Sequence, residues 1–437
     1  MIGFAGLSHL GIVSSIATAS KGFKVIAYDQ RSDLCGDLAQ ESLPILEPDL
    51  PELLTASRTR LRFTADLAAL SACDVIYFSL DVPTDQENRS ELSGLRRLIE
   101  EVVIHARREA TLVVLSQVSS GFTRRLCAEL QPLLDQRSLR VFYQVETLIF
   151  GCAVERALRP ERYIIGCDDP RAELPRPYAE LLASFGCPVL RMRYESAELG
   201  KISINVLLAA SLSATNTLAE ICEVVGADWA EIAPALRLDQ RIGRHAYLTP
   251  GLGIAGGNIE RDLVTVQNLA AEYGTEDCVP SAFLANSRYR RDWVLRKLHE
   301  MVIKCQTKSV IAVWGLAYKP DTHSVKNSPS LALLEALSGQ AVQLYDPSTR
   351  LGERHSAVAQ TETALEACRG AHALVIMTRW SEFATISTEA VKAALAQPVL
   401  IDPAGVWSQR DVSAEGFTYC TLGRPAQLAS RCSSMPI

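Results

Sequence analysis

Over the first 190 residues, short apolar and β-branched runs alternate with helix-length segments. Ile2–Ala5, Lys24–Asp29, Asp74–Leu80, Thr111–Ser116, Arg140–Val145, Arg162–Gly166 and Val189–Arg193 predict strands. Between several of them lie stretches long enough for helices. One is Ile12–Lys21, with Gly22 placed to close it as a left-handed residue after the last turn. Continuous apolar strands separated by helices predict a doubly wound, mostly parallel sheet, because strands covered on both faces show no polar side.

The pattern changes at Glu195. No strand signal appears as far as about Val225, and Leu199, Ile202, Val206, Leu207, Ala210 and Ala214 recur at helical spacing. That predicts a helix roughly 45 Å long at about 1.5 Å per residue. Further helical segments are expected over Trp229–Leu236 and Ile259–Lys304, interrupted by the glycine-rich stretch Gly251–Gly257. Strands return at Ser309–Trp314, Ala341–Tyr345, Ala373–Met377 and Val399–Ile401. No internal repeat or low-complexity tract is visible, and only the last dozen residues look unstructured.

Composition narrows the classes. A chain of 437 residues predicts two or three domains. With 44 Lys+Arg against 50 Asp+Glu the net charge is -6, which argues against a nucleic-acid binder. No uninterrupted apolar run reaches the roughly 18 to 20 residues of a membrane span, and no basic segment precedes an apolar one at the N-terminus. A cytoplasmic protein is expected. The 12 cysteines contain no CxxC pair and no tight cluster with histidine, so they read as small hydrophobes rather than metal ligands or disulfides.

The first candidate chemistry is Gly6-Leu7-Ser8-His9-Leu10-Gly11, between the first strand and the first helix. A dinucleotide-binding turn needs a tight first glycine, close backbone approach to a pyrophosphate at the second, and helix–strand packing at the third. Gly6 and Gly11 fit, whereas Ser8 holds the second position and its Cβ crowds that approach. Asp29 ends the second strand, where a carboxylate accepts the ribose hydroxyls and disfavours a 2′-phosphate, so NAD is expected rather than NADP. His9 stands in the turn as a further phosphate-contact candidate. The fold class expected is α/β: two Rossmann-like doubly wound domains joined by a long central helix and helical connector. The domains fall at 1–194 (NAD-binding), 195–304 (helical, dimerising) and 305–437 (C-terminal α/β).

Five stretches carry a wider resemblance. They are Val82-Pro83-Thr84, Arg159-Pro-Glu-Arg162, Ala197-Glu-Leu-Gly-Lys201-Ile-Ser-Ile-Asn205, the run from Arg241 through Gly251 and Gly257 to Asp262, and Gly315-Leu-Ala-Tyr-Lys319-Pro-Asp-Thr322. In order and spacing the chain resembles the UDP-glucose/GDP-mannose dehydrogenase family. The resemblance implies an NAD-binding N-terminal domain, a homodimer built on the central helix, and a C-terminal domain holding the nucleotide of a nucleotide sugar. Members oxidise the sugar C6 hydroxyl to a carboxylate in two hydride transfers, through a cysteine thiohemiacetal and thioester.

Carried over residue by residue, the resemblance makes Lys201 and Asn205 the central-helix pair that stabilises an alkoxide. Asp262 becomes the aspartate that handles water and proton, and Glu146 a strand-end glutamate. Cofactor contacts fall on Gly6, Ser8, His9, Leu10, Gly11, Asp29, Pro83, Thr84, Gln117 and Lys326. Substrate contacts fall on Arg241, Tyr247, Leu248, Gly251, Gly253 and Lys319. The departures cluster at the chemistry. Asn258 stands where the family has its nucleophilic cysteine, Phe150 where a second glutamate is expected, and Gln117 where a threonine is expected. Arg261 replaces a lysine, and His323, Ser324 and Lys326 replace two acids and an arginine. In the loop Tyr247–Gly257, Ile254-Ala255 replaces an aromatic and leaves room for a bulkier sugar. Cys152 reads as a spare buried thiol.

A carboxamide is no nucleophile at neutral pH, so a single alcohol-to-carbonyl hydride transfer on a nucleotide sugar, UDP- before GDP-, is the leading reading. The alternatives are a redox-neutral epimerase that returns the hydride, a non-catalytic nucleotide-binding relative, and acid formation through the aldehyde hydrate. No metal is expected.

Overall fold

The computed structural model describes residues 1–85, 90–305, 308–352 and 358–429. The chain divides into two compact units, Met1–Ile204 and Asn205–Ile437. The first holds eight strands: β1 (Ile2–Ala5), β2 (Val25–Tyr28), β3 (Leu61–Thr64), β4 (Val75–Phe78), β5 (Thr111–Val114), β6 (Arg140–Gln144), β7 (Tyr163–Cys167) and β8 (Val189–Arg193). They lie in the order β3-β2-β1-β4-β5-β6-β7-β8, and β6 with β7 is the antiparallel pair among them. The central strands β1, β2, β4 and β5 are buried along their whole length, whereas edge strands β3 and β8 are partly exposed. Strands buried on both faces produce the continuous apolar runs that made them visible in the sequence.

The second unit carries β9 (Val310–Trp314), β10 (Ala341–Tyr345), β11 (Val358–Gln360), β12 (Ala373–Ile376), β13 (Val399–Ile401) and β14 (Thr418–Cys420). Their order is β11-β10-β9-β12-β13-β14. That is the spatial order of the first six strands of the other sheet, so two doubly wound lobes recur in a chain whose sequence shows no repeat. The edge strands β3, β11 and β14 escape the sequence pattern because three or four residues, half of them polar or exposed, establish no periodicity.

The long helix spans Tyr194–Val225, 32 residues. By length and composition it is long and apolar enough to cross a membrane, with 33% of its most apolar window buried. Polar residues interrupt it, so it is not one apolar run. The expected helical region after the glycine-rich stretch is three helices, Asn258–Tyr273, Cys278–Arg291 and Trp293–Met301. Gly274, left-handed at φ +66, stops the first of them. At the C-terminus Gln427 still bridges to Tyr419, and residues 430–437, most of the stretch expected to be unstructured, lie outside the described residues.

Candidate active site

The first unit builds a cofactor turn at the carboxyl ends of β1 and β4. Gly6 has φ +97, and a Cβ there would lie 2.6 Å from the Leu80 side chain. At Gly11, on the first turn of helix His9–Ser20, a Cβ would lie 1.9 Å from the Gly6 carbonyl oxygen. The turn is therefore tight enough for a phosphate to approach the first-turn N–H groups. Ser8 precedes the helix, but its hydroxyl turns away to donate to Ser79 O at 3.0 Å and accept from Asp81 N at 2.8 Å.

Asp29, buried at the end of β2, accepts from Leu7 N at 2.8 Å and from Arg31 Nε at 2.8 Å and Nη2 at 3.0 Å. Burial pushes its carboxyl up, but the Arg31 and Leu7 hydrogen bonds outweigh it and hold the group below the usual range. An ionised Asp29 at this strand end fits the adenosine ribose of NAD.

Two carboxylates that the sequence reading did not single out complete the turn. Glu47 is buried, accepts from Gly151 N at 3.0 Å and Ala153 N at 3.1 Å, and meets His9 Nε2 at 2.8 Å. The His9 ring packs on Phe150, with centroids 4.2 Å apart. His9 is thus tied to the loop after β6 and is not free to follow a ligand. Asp81, just past β4, donates its backbone N–H to Ser8 Oγ at 2.8 Å. Of the remaining cofactor candidates, Pro83 O accepts from Glu91 N at 2.9 Å and Thr84 bridges to Ser90, while Gln117 lies half-buried after β5.

Glu146 and Lys201 come together. Lys201 Nζ donates to the backbone oxygen of Glu146 at 2.7 Å. Glu146 Oε1 is buried without a hydrogen-bond partner among the described residues. Burial pushes its carboxyl up to about 7, against the pull of Lys201 and with the negative charge of Asp81 adding to the rise. A carboxyl poised there can take or give a proton near neutral pH.

Glu198, within the central-helix motif, is fully buried. It accepts from Gly121 N and, at 2.8 Å, from Thr123 N, at the start of helix Phe122–Arg137. It caps that helix from a distant element and holds the loop that carries Gln117. Glu198→Ala leaves two buried N–H groups without an acceptor. The expected loss is about 3 kcal/mol in urea unfolding, with Glu198→Gln losing less because one acceptor survives.

In the second unit Asn205 Nδ2 donates to Asp262 Oδ2 at 2.6 Å, and Arg261 Nε approaches Asp262 Oδ1 at 3.3 Å. Asn258 begins helix Asn258–Tyr273 and is exposed. Lys326 lies over the preceding Gly257, where a Cβ would come within 3.1 Å of Nζ. Asn327 Nδ2 donates to Gly256 O at 2.9 Å, fastening the glycine-rich loop to the Gly315–Thr322 motif region. The same loop is held by Asn216 Oδ1 accepting from Gly251 N at 2.8 Å, and by Ser287, whose hydroxyl accepts from Ile254 N beside Gly253. Leu248 is buried and its carbonyl accepts from Trp229 Nε1, whereas Tyr247 is exposed. Arg241 is also exposed and turned to Asp239, with Nη2–Oδ2 at 2.6 Å. Lys319 Nζ lies 5.6 Å from the Tyr318 ring centre.

The C-terminal lobe repeats the first turn. Gly315 also has φ +97, and Asp346 after β10 accepts from Leu316 N at 2.6 Å, as Asp29 does from Leu7. The repetition of the nucleotide turn, strand for strand, agrees with the sequence comparisons. Residues 1–185 match the NAD binding domain of the UDP-glucose/GDP-mannose dehydrogenase family, 195–287 its central domain and 312–409 its UDP binding domain. UDP-glucose 6-dehydrogenase TuaD of Bacillus subtilis is 30% identical over 97% of this chain and 93% of its own length.

The chain belongs to the UDP-glucose/GDP-mannose dehydrogenase family.

UDP-glucose 6-dehydrogenase of Rhizobium meliloti is 29% identical over 96% of this chain and 98% of its own. Among solved structures, a UDP-glucose dehydrogenase from Pyrobaculum islandicum matches with a TM-score of 0.80 at 25% identity, over 92% of this chain and 93% of that one. A UDP-D-ManNAc dehydrogenase from Pyrococcus horikoshii shares the fold, with a TM-score of 0.84 at 23% identity over 97% and 99% of the two chains. The protein is an NAD-dependent nucleotide-sugar dehydrogenase of this family, with two Rossmann-like lobes.

Proposed function

We propose that this dehydrogenase carries out one alcohol-to-carbonyl oxidation on a nucleotide sugar, a UDP-sugar before a GDP-sugar, and stops there. The observation that carries the reading is Asn258, at the position that the family resemblance gives to the nucleophilic cysteine, on an exposed helix start. An amide there forms no thiohemiacetal, so the carbonyl is not held for a second hydride loss. NAD, when bound, supplies the hydride acceptor.

The chain's own residues do the rest. Gly6, Leu10, Gly11 and Asp29 form the cofactor seat, with Ser8, His9, Pro83, Thr84 and Gln117 assigned to its margins. Arg241, Tyr247, Leu248, Gly251, Gly253 and Lys319 are assigned to the nucleotide sugar. Lys201 and Asn205, one helical turn apart, stabilise the alkoxide as it forms. Glu146, with its carboxyl near neutrality, takes the hydroxyl proton, and Asp262 orders Asn205 through the 2.6 Å bond. The C–H electron pair leaves as hydride, the O–H proton goes to the carboxylate, and the carbonyl forms.

The domains 1–194, 195–304 and 305–437 remain our division of labour for this cycle. We also propose a cytoplasmic homodimer packed on the central helix. Leu207, Val224 and Val225 are 68%, 81% and 65% exposed on it, an apolar surface of the kind that a second copy covers.

The test is carbonyl trapping. Incubation with NAD, a panel of UDP- and GDP-sugars and hydroxylamine should yield an oxime of one sugar by mass. A free carboxylate without oxime would overturn the reading. Asn258→Cys by itself is expected to give the same oxime, because Phe150 and Gln117 still lack the proton-handling groups of the acid-forming relatives.

A further inference from the structure

We propose that a cavity beneath helix His9–Ser20 is a hydrated proton path, which carries to solvent the proton that Glu146 takes from the sugar hydroxyl. The proposal rests on the oxidation argued above, in which each carbonyl formed leaves one proton on that carboxylate. While cofactor and sugar occupy the front of the site, the proton has to leave by another side. Lys201 Nζ lies on the Glu146 backbone oxygen at 2.7 Å, and Glu146 Oε1 is buried without a hydrogen-bond partner among the described residues. A carboxyl enclosed in this way turns over only as fast as a relay empties it.

The cavity lies between the sheet and helices His9–Ser20, Ala153–Leu158 and Arg176–Ala183, and Glu146 is part of its wall. Its volume is about 60 Å³, room for a few waters and far below the roughly 300 Å³ at which small-molecule pockets begin. A water settles in such a space only where it meets about two to four polar groups. The wall supplies them. Gln144 is buried, and its Oε1 accepts from Tyr77 OH at 3.1 Å and Tyr178 OH at 2.9 Å, which leaves its amide N–H groups for the cavity. Ser14, Thr18 and Tyr163 line the same space, and among the described residues their hydroxyls make no hydrogen bond. Polar groups that lack partners around one void are the pattern that ordered water completes. Outward, the wall runs to half-buried Arg156 and Phe185, and Arg156 Nε braces the loop after β6 by donating to Thr147 O at 2.7 Å. Protonated Glu146 gives its proton to the nearest water, each water passes one on, and the carboxylate is restored with nothing oxidised or reduced.

Stopped-flow measurement in weak buffer with a pH-indicator dye tests this on the full chain, using NAD and whichever sugar of the UDP- and GDP-sugar panel yields NADH. NADH absorbance follows hydride transfer, and the dye follows proton release. Ala157→Leu narrows the cavity from a half-buried position on its wall, and Thr18→Val removes one hydroxyl at nearly constant size. In the unaltered protein the two signals should rise together. In Ala157→Leu the first-turnover NADH rate should hold while proton release lags about tenfold, and Thr18→Val should lag about threefold. A merely structural disturbance slows both signals alike, so the lag belongs to the path. Proton release in step with NADH in both variants, at full or reduced rate, would overturn the proposal. No NADH from any sugar in the unaltered protein would overturn the oxidation itself, and the path with it.

Discussion

Lys201→Met should lower kcat by about 10²- to 10³-fold while NAD still binds, because it removes the positive charge that lies beside Glu146 and is proposed to meet the alkoxide with Asn205. The same substitution should move the pH profile. Glu146 acts as acceptor when ionised, so the rate of the unaltered enzyme rises with pH through about 7. Lys201 holds that carboxyl down against burial, and without it the acidic limb shifts to higher pH. Steady-state rates from mildly acidic to mildly alkaline pH measure both effects. A variant with nearly full kcat, or with an unmoved limb, would show that the 2.7 Å contact to the Glu146 backbone is only structural.

Gly11→Ala should be the most damaging small substitution in the molecule. Its Cβ would sit 1.9 Å from the Gly6 carbonyl oxygen and 2.9 Å from Ser79 Oγ, and a backbone oxygen cannot swing aside as a side chain can. Helix His9–Ser20 has to lift from the sheet, costing about 3 kcal/mol and weakening NAD binding by about 100-fold. Gly36→Ala is the control. That glycine lies within helix Ser32–Ala39 with nothing within 4 Å of a Cβ, so the change should stabilise by about 0.5 to 1 kcal/mol and leave cofactor binding alone. Chemical unfolding and NAD titration on the two variants separate the outcomes.

Much of this architecture was legible in the residues, for a physical reason. Apolar and β-branched runs bounded by turns mark strands: β1, β8, β10 and β13 carry the limits read from the sequence, and Gly22, at φ +97, closes the first helix as its position required. The edge strands β3, β11 and β14 were not legible, because a run of three or four residues is too short to establish a period. The two-lobe repeat was invisible too. Matching strand order needs only apolar runs in sequence, not similar residues.

The candidate site divides in the same way. Gly6, Gly11 and Asp29 were readable because a tight turn and a strand-end carboxylate leave local signatures. Glu47, Asp81 and Glu198 were not, although Glu198 stands inside a recognised motif. Their partners, Gly151, Ser8 and Gly121, are tens of residues away, and only folding brings them together. Ser8 was read as crowding the pyrophosphate. In the fold its hydroxyl donates to Ser79 O and accepts from Asp81 N, contacts that lie 71 and 73 residues away in sequence.

The central claim is that the reaction stops after one oxidation, and counting reduced cofactor against sugar tests it most directly. With limiting nucleotide sugar and excess NAD, absorbance should level off at one NADH per sugar consumed, with a product lighter than the substrate by two hydrogens. Two NADH per sugar and a carboxylate product would contradict it and return Asn258 to the background.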